Sequence, residues 1–332
     1  MTDKLAIASR PVAMRDAFLE KLWVAMAIND KIYFVTADFG SPVLDKIRRD
    51  YPARFLNVGI AEQNLINVSC GLALEGYCVF AYAIAPFITM RCYEQIRISI
   101  ALLSEIRPLN VNLVGIGAGY SYAMSGPTHQ CYEDITLMRG LPNIHFYSPS
   151  DHLMAEGLVG RCIEETKPKY LRFDAQVLPV LGPVVYESVT GFTIRQNGSE
   201  LCIIATGYMV HTAMEISAAL KNYEISATIV DLCDLTDFDL NQIAALMAQH
   251  SHIVSMEEGF RGRGGLDSML FEMISRYNIK SRLLNLGIEP AYSFALGTRQ
   301  ELHERAGIGV KIALEKILDF FRVEQEGSGS DR

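Results

Sequence analysis

The chain has 332 residues, half of them hydrophobic, enough for two domains that each bury a core. A formal net charge of -8 and a pI near 5.4 give no electrostatic basis for binding nucleic acid or an anionic membrane surface, and no apolar run has transmembrane length or signal-peptide form. Seven cysteines are scattered without a C-x-x-C pair, so reduced, mostly buried thiols in a cytoplasmic protein are expected.

Short β-rich runs alternate with longer amphipathic segments, a pattern that predicts an α/β fold of two consecutive domains, each a mainly parallel sheet covered by helices. Residues 14–28 read as a helix and 32–37 as a strand ending in the turn Asp-Phe-Gly-Ser-Pro. Next come a helix over 62–74, a strand over 79–83, a helix over 91–103 and a buried strand over 110–115 that runs into the glycine-rich loop GIGAGYSYAMSGPTH. A strand at 144–148 precedes SPSD, which caps the following helix through Ser150 or Asp151, and 169–173 is the last strand of the first unit. Prolines and weak helical signals mark a linker, after which strands at 201–206, 227–231, 252–256 and 282–286, with helices such as 266–277, form a second unit. The expected boundaries are 1–176, a linker at 177–198, 199–322, and a polar, frayed tail at 323–332.

In open α/β sheets, ligands sit beyond the carboxyl ends of the strands. Three segments fall there: FLNVGIAEQN, AYAIAPFITMRCYEQIR and SGPTHQ. In the first, Glu62 lies between Val58 and Ile60 on one side and Leu65, Ile66 and Val68 on the other. Such a glutamate is either a salt-bridged or exposed helix residue, or an acid held protonated or hydrogen-bonded for chemistry. Taken singly, His129 reads as a structural histidine, Phe87 and Tyr93 as core, and Arg91 and Arg97 as solvated helix charges.

Taken in order, RFLNVGIAEQN, GLALEG, RCYEQIR, GPTHQ, SPSD and KPKYLRF resemble the pyrimidine-binding and C-terminal parts of the transketolase family, including its relative 1-deoxyxylulose-5-phosphate synthase. The resemblance covers nearly the whole chain and is strongest over 54–174. It implies a thiamine diphosphate and Mg²⁺ enzyme that transfers a two-carbon ketol unit between sugar phosphates. Glu62 would hydrogen-bond N1′ of the cofactor's aminopyrimidine, favouring the imino tautomer that removes the thiazolium C2 proton. Phe87 falls where the family stacks an aromatic ring on the aminopyrimidine, and Ile84 where another phenylalanine is common. His129 matches the histidine that contacts substrate near the reacting carbon. Asp38 matches an acidic residue near the cofactor and the dimer seam, with a turn cap as the equal alternative. Arg91, Arg172 and Arg15 fall on arginines that grip a substrate phosphate. Ser125 replaces the aspartate of D-G-P-T-H-Q, and glycine near Gly117 replaces a phosphate-contacting histidine, so a modified sugar or another aldehyde acceptor is open.

The diphosphate and Mg²⁺ motif of the family begins Gly-Asp, and this sequence contains no such dipeptide. The resemblance therefore implies a split enzyme: a partner chain carries the diphosphate domain and ligates the metal, and this chain supplies no metal ligand. A heterotetramer built on a self-associating dimer core follows, acting on a small phosphorylated sugar. Rival readings are the β subunit of a 2-oxo acid dehydrogenase, a decarboxylating carboligase like the deoxyxylulose synthase, and a non-catalytic regulatory relative. GPTHQCYEDI separates the first from the transketolase pattern.

Overall fold

The computed structural model describes residues 11–182 and 190–327, with side chains as far as Arg322. Its first sheet has six parallel strands in the order β2-β1-β3-β4-β6-β5. These are β1 Ile32–Thr36, β2 Phe55–Asn57, β3 Cys78–Ile84, β4 Val111–Ile116, β5 His145–Tyr147 and β6 Lys169–Phe173. Alternation along β3 divides the unit into two layers. Cys78, Phe80 and Tyr82 face helices α1 (Met14–Ile28), α2 (Pro42–Asp50) and α5 (His152–Glu164), whereas Val79, Ala81 and Ala83 face α3 (Glu62–Leu74) and the helical stretch that follows β3. Each large apolar side chain fully buried this way contributes about 1.5–3 kcal/mol.

That stretch differs from the expected helix over 91–103. It starts at Phe87, and its turns are wide: Phe87–Arg91 and Ile96–Leu102 are π-helical, joined by one α turn at Tyr93–Gln95. In the first unit the sequence expectations also omit the three-residue β2, the helix α2 and the short helix α4, Asp134–Arg139. β2 and α4 are too short for periodicity to register, and α2 begins inside the expected turn, capped by Ser41. Asp151, rather than Ser150, caps α5, accepting from Met154 N at 3.0 Å. Ser150 instead donates to Asp231 in the second domain at 2.5 Å.

The second sheet has the order β11-β10-β8-β9-β7, with β7 (Phe192–Gln196) antiparallel at one edge and β8 (Leu201–Ala205), β9 (Ala227–Leu232), β10 (His252–Phe260) and β11 (Arg282–Ile288) parallel. Helices α6 (Met209–Leu220), α7 (Leu240–Met247), α8 (Leu266–Arg276), α9 (Arg299–Ala306) and α10 (Val310–Gly327) complete it. β7 corrects the expected linker at 177–198, of which residues 183–189 lie outside the described residues. Phe-Thr-Ile between Gly191 and Asn197-Gly198 is itself a strand signal, masked by the prolines upstream. α10 likewise carries helix into the range expected as a frayed tail, of which 328–332 lie outside the described residues.

The two domains share one core. Ile135, Met138 and Phe146 of the first belong to the same apolar cluster as Leu235, Phe238, Leu266 and Met269 of the second. Buried charges cross the same seam. Arg299 on α9 bonds Asp174 at 2.5 Å and Glu258 on β10 at 2.6 Å, and His303 bonds Glu258 at 2.6 Å.

Candidate functional site

Four loops meet at the carboxyl edge of the first sheet. Asp38, just after β1, has φ of 54°, a left-handed conformation that aspartate tolerates. Its amide donates to Asn57 Oδ1 at 3.0 Å, and its carboxylate accepts from Asn57 Nδ2 at 2.9 Å. Asn57 Oδ1 also accepts from Gly59 N at 2.9 Å, so this one amide side chain fixes the exits of both β1 and β2. The chain then turns at Gly59, with φ of 77°, into the first residue of α3, which is Glu62.

Glu62 is buried at the positive end of that helix dipole. From the end of β3, at Ile84, the chain passes through Ala85 and Pro86 into the π-helical turn Phe87–Arg91. Four residues apart on this turn, Phe87 and Arg91 lie together: the guanidinium carbon is 3.7 Å from the ring centroid. Arg91 Nη1 bonds both Glu62 oxygens, at 3.0 and 3.3 Å. From the loop after β4, the His129 ring meets the Phe87 ring in a T-shaped arrangement at 5.3 Å between centroids, and its Nδ1 meets Thr128 Oγ1 at 3.0 Å. Glu62, Phe87, Arg91 and His129 thus form one cluster, half-buried apart from the carboxylate. The salt-bridged reading of Glu62 is the one the geometry contains, with a buried carboxylate and a half-exposed arginine.

The remaining expected residues are placed differently. Ser125 is exposed on a short 3-10 turn, followed by Gly126 with φ of 73°. Arg15, on the first turn of α1, pairs with its neighbour Asp16 at 2.8 Å, and no hydrogen bond or ion pair joins it to the Glu62 cluster among the described residues. Arg172, expected to grip a substrate phosphate, lies at the domain seam. It is buried, bonds Asp134 at 2.8 Å and donates to the Glu258 carbonyl at 3.0 Å, while Tyr170 completes the pairing by donating to Asp134 at 2.9 Å. Moving this guanidinium away from Asp134 would leave a buried carboxylate unpaired at a cost of several kcal/mol.

Two site features were missed in the sequence. Asn57 is one, though its neighbourhood in FLNVG gives no signal for the double turn it ties. Tyr122 is the other: a Cβ at Gly117, which has φ of 103°, would run into the Tyr122 ring. The ring therefore fills the space a histidine at 117 would need.

The buried thiols are inert. Burial pushes Cys78, Cys92 and Cys162 up to about 12.

Residues 10–180 match the family model for the transketolase pyrimidine-binding domain, and residues 191–311 match that for the transketolase C-terminal domain. Among curated proteins, the chain is 28% identical over 320 residues to one subunit of the apulose-4-phosphate transketolase of Phocaeicola vulgatus, covering 95% of this chain and 100% of that one. It is 25% identical over 300 residues to the 6-deoxy-6-sulfo-D-fructose transketolase subunit SqwH of a Clostridium species, covering 90% and 91%. Among solved structures, a split-gene transketolase described as an inactive β4 tetramer superposes with a TM-score of 0.82 at 29% identity, over 93% of this chain and 98% of that chain. The chain belongs to the transketolase family.

Proposed function

We propose that this chain is the pyrimidine-face subunit of a two-chain, thiamine-diphosphate-dependent transketolase that moves a two-carbon ketol unit from a ketose to an aldehyde acceptor. The observation that carries the reading is the convergence of Glu62, Phe87 and His129 at the carboxyl edge of the first sheet. The donor set fits an aminopyrimidine. A buried carboxylate and a half-buried aromatic face already hold a flat cation between them, the Arg91 guanidinium.

When bound, thiamine diphosphate supplies the electron sink for cleavage of the ketose C2–C3 bond. Glu62 would hold the pyrimidine ring nitrogen and share a proton with it. Phe87 would cover the ring face. His129, whose Nε2 has no hydrogen-bond partner among the described residues, would pass a proton to and from the sugar oxygens. Asn57 and Asp38 would fix the loop that delivers Glu62.

The missing Gly-Asp motif, together with relatives that are themselves named as transketolase subunits, supports a second polypeptide as the holder of the diphosphate and Mg²⁺. The rim of the site is suited to being covered: Ile60, two residues before Glu62, and Met90, next to Arg91, are both exposed. Relatives named for apulose 4-phosphate and a sulfonated fructose support an anionic, non-standard sugar, in keeping with Ser125 and the Tyr122-covered Gly117. Co-expression with the neighbouring reading frame should yield a complex that purifies with stoichiometric thiamine diphosphate and Mg²⁺. Recovery of the chain alone, with no associating protein and no cofactor, would refute the proposal.

A further inference from the structure

The geometry points to Arg91 as a built-in competitor for the aminopyrimidine pocket, a side chain that occupies the slot before cofactor loading and must swing out for the cofactor to enter. This inference rests on the proposed thiamine diphosphate site. The guanidinium makes the same two kinds of contact that a flat, nitrogen-bearing ring would make with these residues: it lies over the Phe87 face at 3.7 Å, and its Nη1 bonds Glu62 at 3.0 and 3.3 Å. A second planar group cannot take that face of Phe87 and the Glu62 oxygens while the guanidinium holds them, and the His129 ring packs against the same Phe87 at 5.3 Å between centroids. Arg91 is also free to leave. Its side chain is 47% exposed, and its backbone carbonyl is held separately by Gln63 Nε2 at 3.3 Å, so the guanidinium can rotate into solvent while the π-helical turn stays in place. Departure forfeits one partly exposed ion pair and one partly exposed cation–π contact, and together these set a penalty on cofactor affinity on the order of tenfold.

The test is calorimetric titration of thiamine diphosphate, at fixed Mg²⁺, into the purified two-subunit complex, with affinity rather than turnover as the readout. Arg91→Gln keeps a donor for Glu62 but gives up the charged planar fork, and it should bind the cofactor about tenfold more tightly than the parent. Arg91→Lys retains the charge without the fork and should fall between the two. Arg97→Gln, which alters an exposed arginine paired with Glu94 at 2.9 Å on the same helical stretch, should leave affinity unchanged. Equal or weaker binding by both Arg91 variants, with the parent complex still binding, would overturn the inference alone. No binding by any of the four complexes would overturn the underlying cofactor reading and the inference with it.

Discussion

His129 illustrates how little a single residue type reveals. A histidine in a turn is ordinarily a structural hydrogen bonder, and here Thr128 does occupy its Nδ1. What distinguishes it is position: its ring meets Phe87, which in turn underlies the Glu62–Arg91 pair. His129→Asn should lower turnover of the assembled enzyme by about 10²–10⁴-fold, the usual contribution of one general acid or base, and leave thiamine diphosphate affinity unchanged. Steady-state kinetics with a parallel cofactor titration checks this, and unaltered turnover would remove His129 from the proton path. Glu62 and His129 were legible in the sequence because each sits in a short motif, GIAEQ and GPTHQ. The contact of Arg91 with Glu62 was not, since the two lie on different elements 29 residues apart. The space taken by Tyr122 beside Gly117 depends on how the loop folds back on itself, and no local pattern encodes that.

At the scale of elements, long alternating segments were readable and short or cross-domain ones were not. β3 and β4 follow from short continuous apolar runs and α1 and α3 from longer apolar-rich segments, whereas β2 is held by pairing with β1, and α4 by packing against the π-helical turn and β10. The π-helical turn after β3 brings Phe87 and Arg91 together, and wide turns of this kind recur at functional sites. On β10, Met-Glu-Glu-Gly-Phe placed two glutamates side by side in a buried strand, an unread sign of buried partners. Burial alone would raise the Glu258 carboxyl, but Arg299 and His303 outweigh it and hold the group well below its ordinary value of 4.5. A carboxyl depressed in the folded state stabilises above its unfolded pKa and loses that contribution as pH falls. Thermal stability should therefore drop as pH is lowered through about 4.5 and below. Glu258→Gln should cost about 3–5 kcal/mol at neutral pH, by removing one of the two buried carboxylates that pair with Arg299, and should flatten the acid limb of the profile. Melting curves across pH test both, and a variant as stable as the parent would show that the cluster contributes nothing.

The molecule as a whole joins two α/β units through a shared apolar core and a buried charge network, so the first sheet's carboxyl edge is presented on a rigid base. No described helix is long and apolar enough to cross a membrane. The cluster at that edge supplies a carboxylate, an aromatic face and a histidine. A partner chain that brings the ligands for the metal and the diphosphate would close the site over Glu62. In the proposed enzyme this one carboxyl group would activate a cofactor shared between two chains. Turnover of the reconstituted complex carrying Glu62→Ala tests it most directly: two-carbon transfer should fall at least about a hundredfold while circular dichroism and subunit assembly stay as in the parent. Transfer within a few-fold of the parent enzyme would contradict the account.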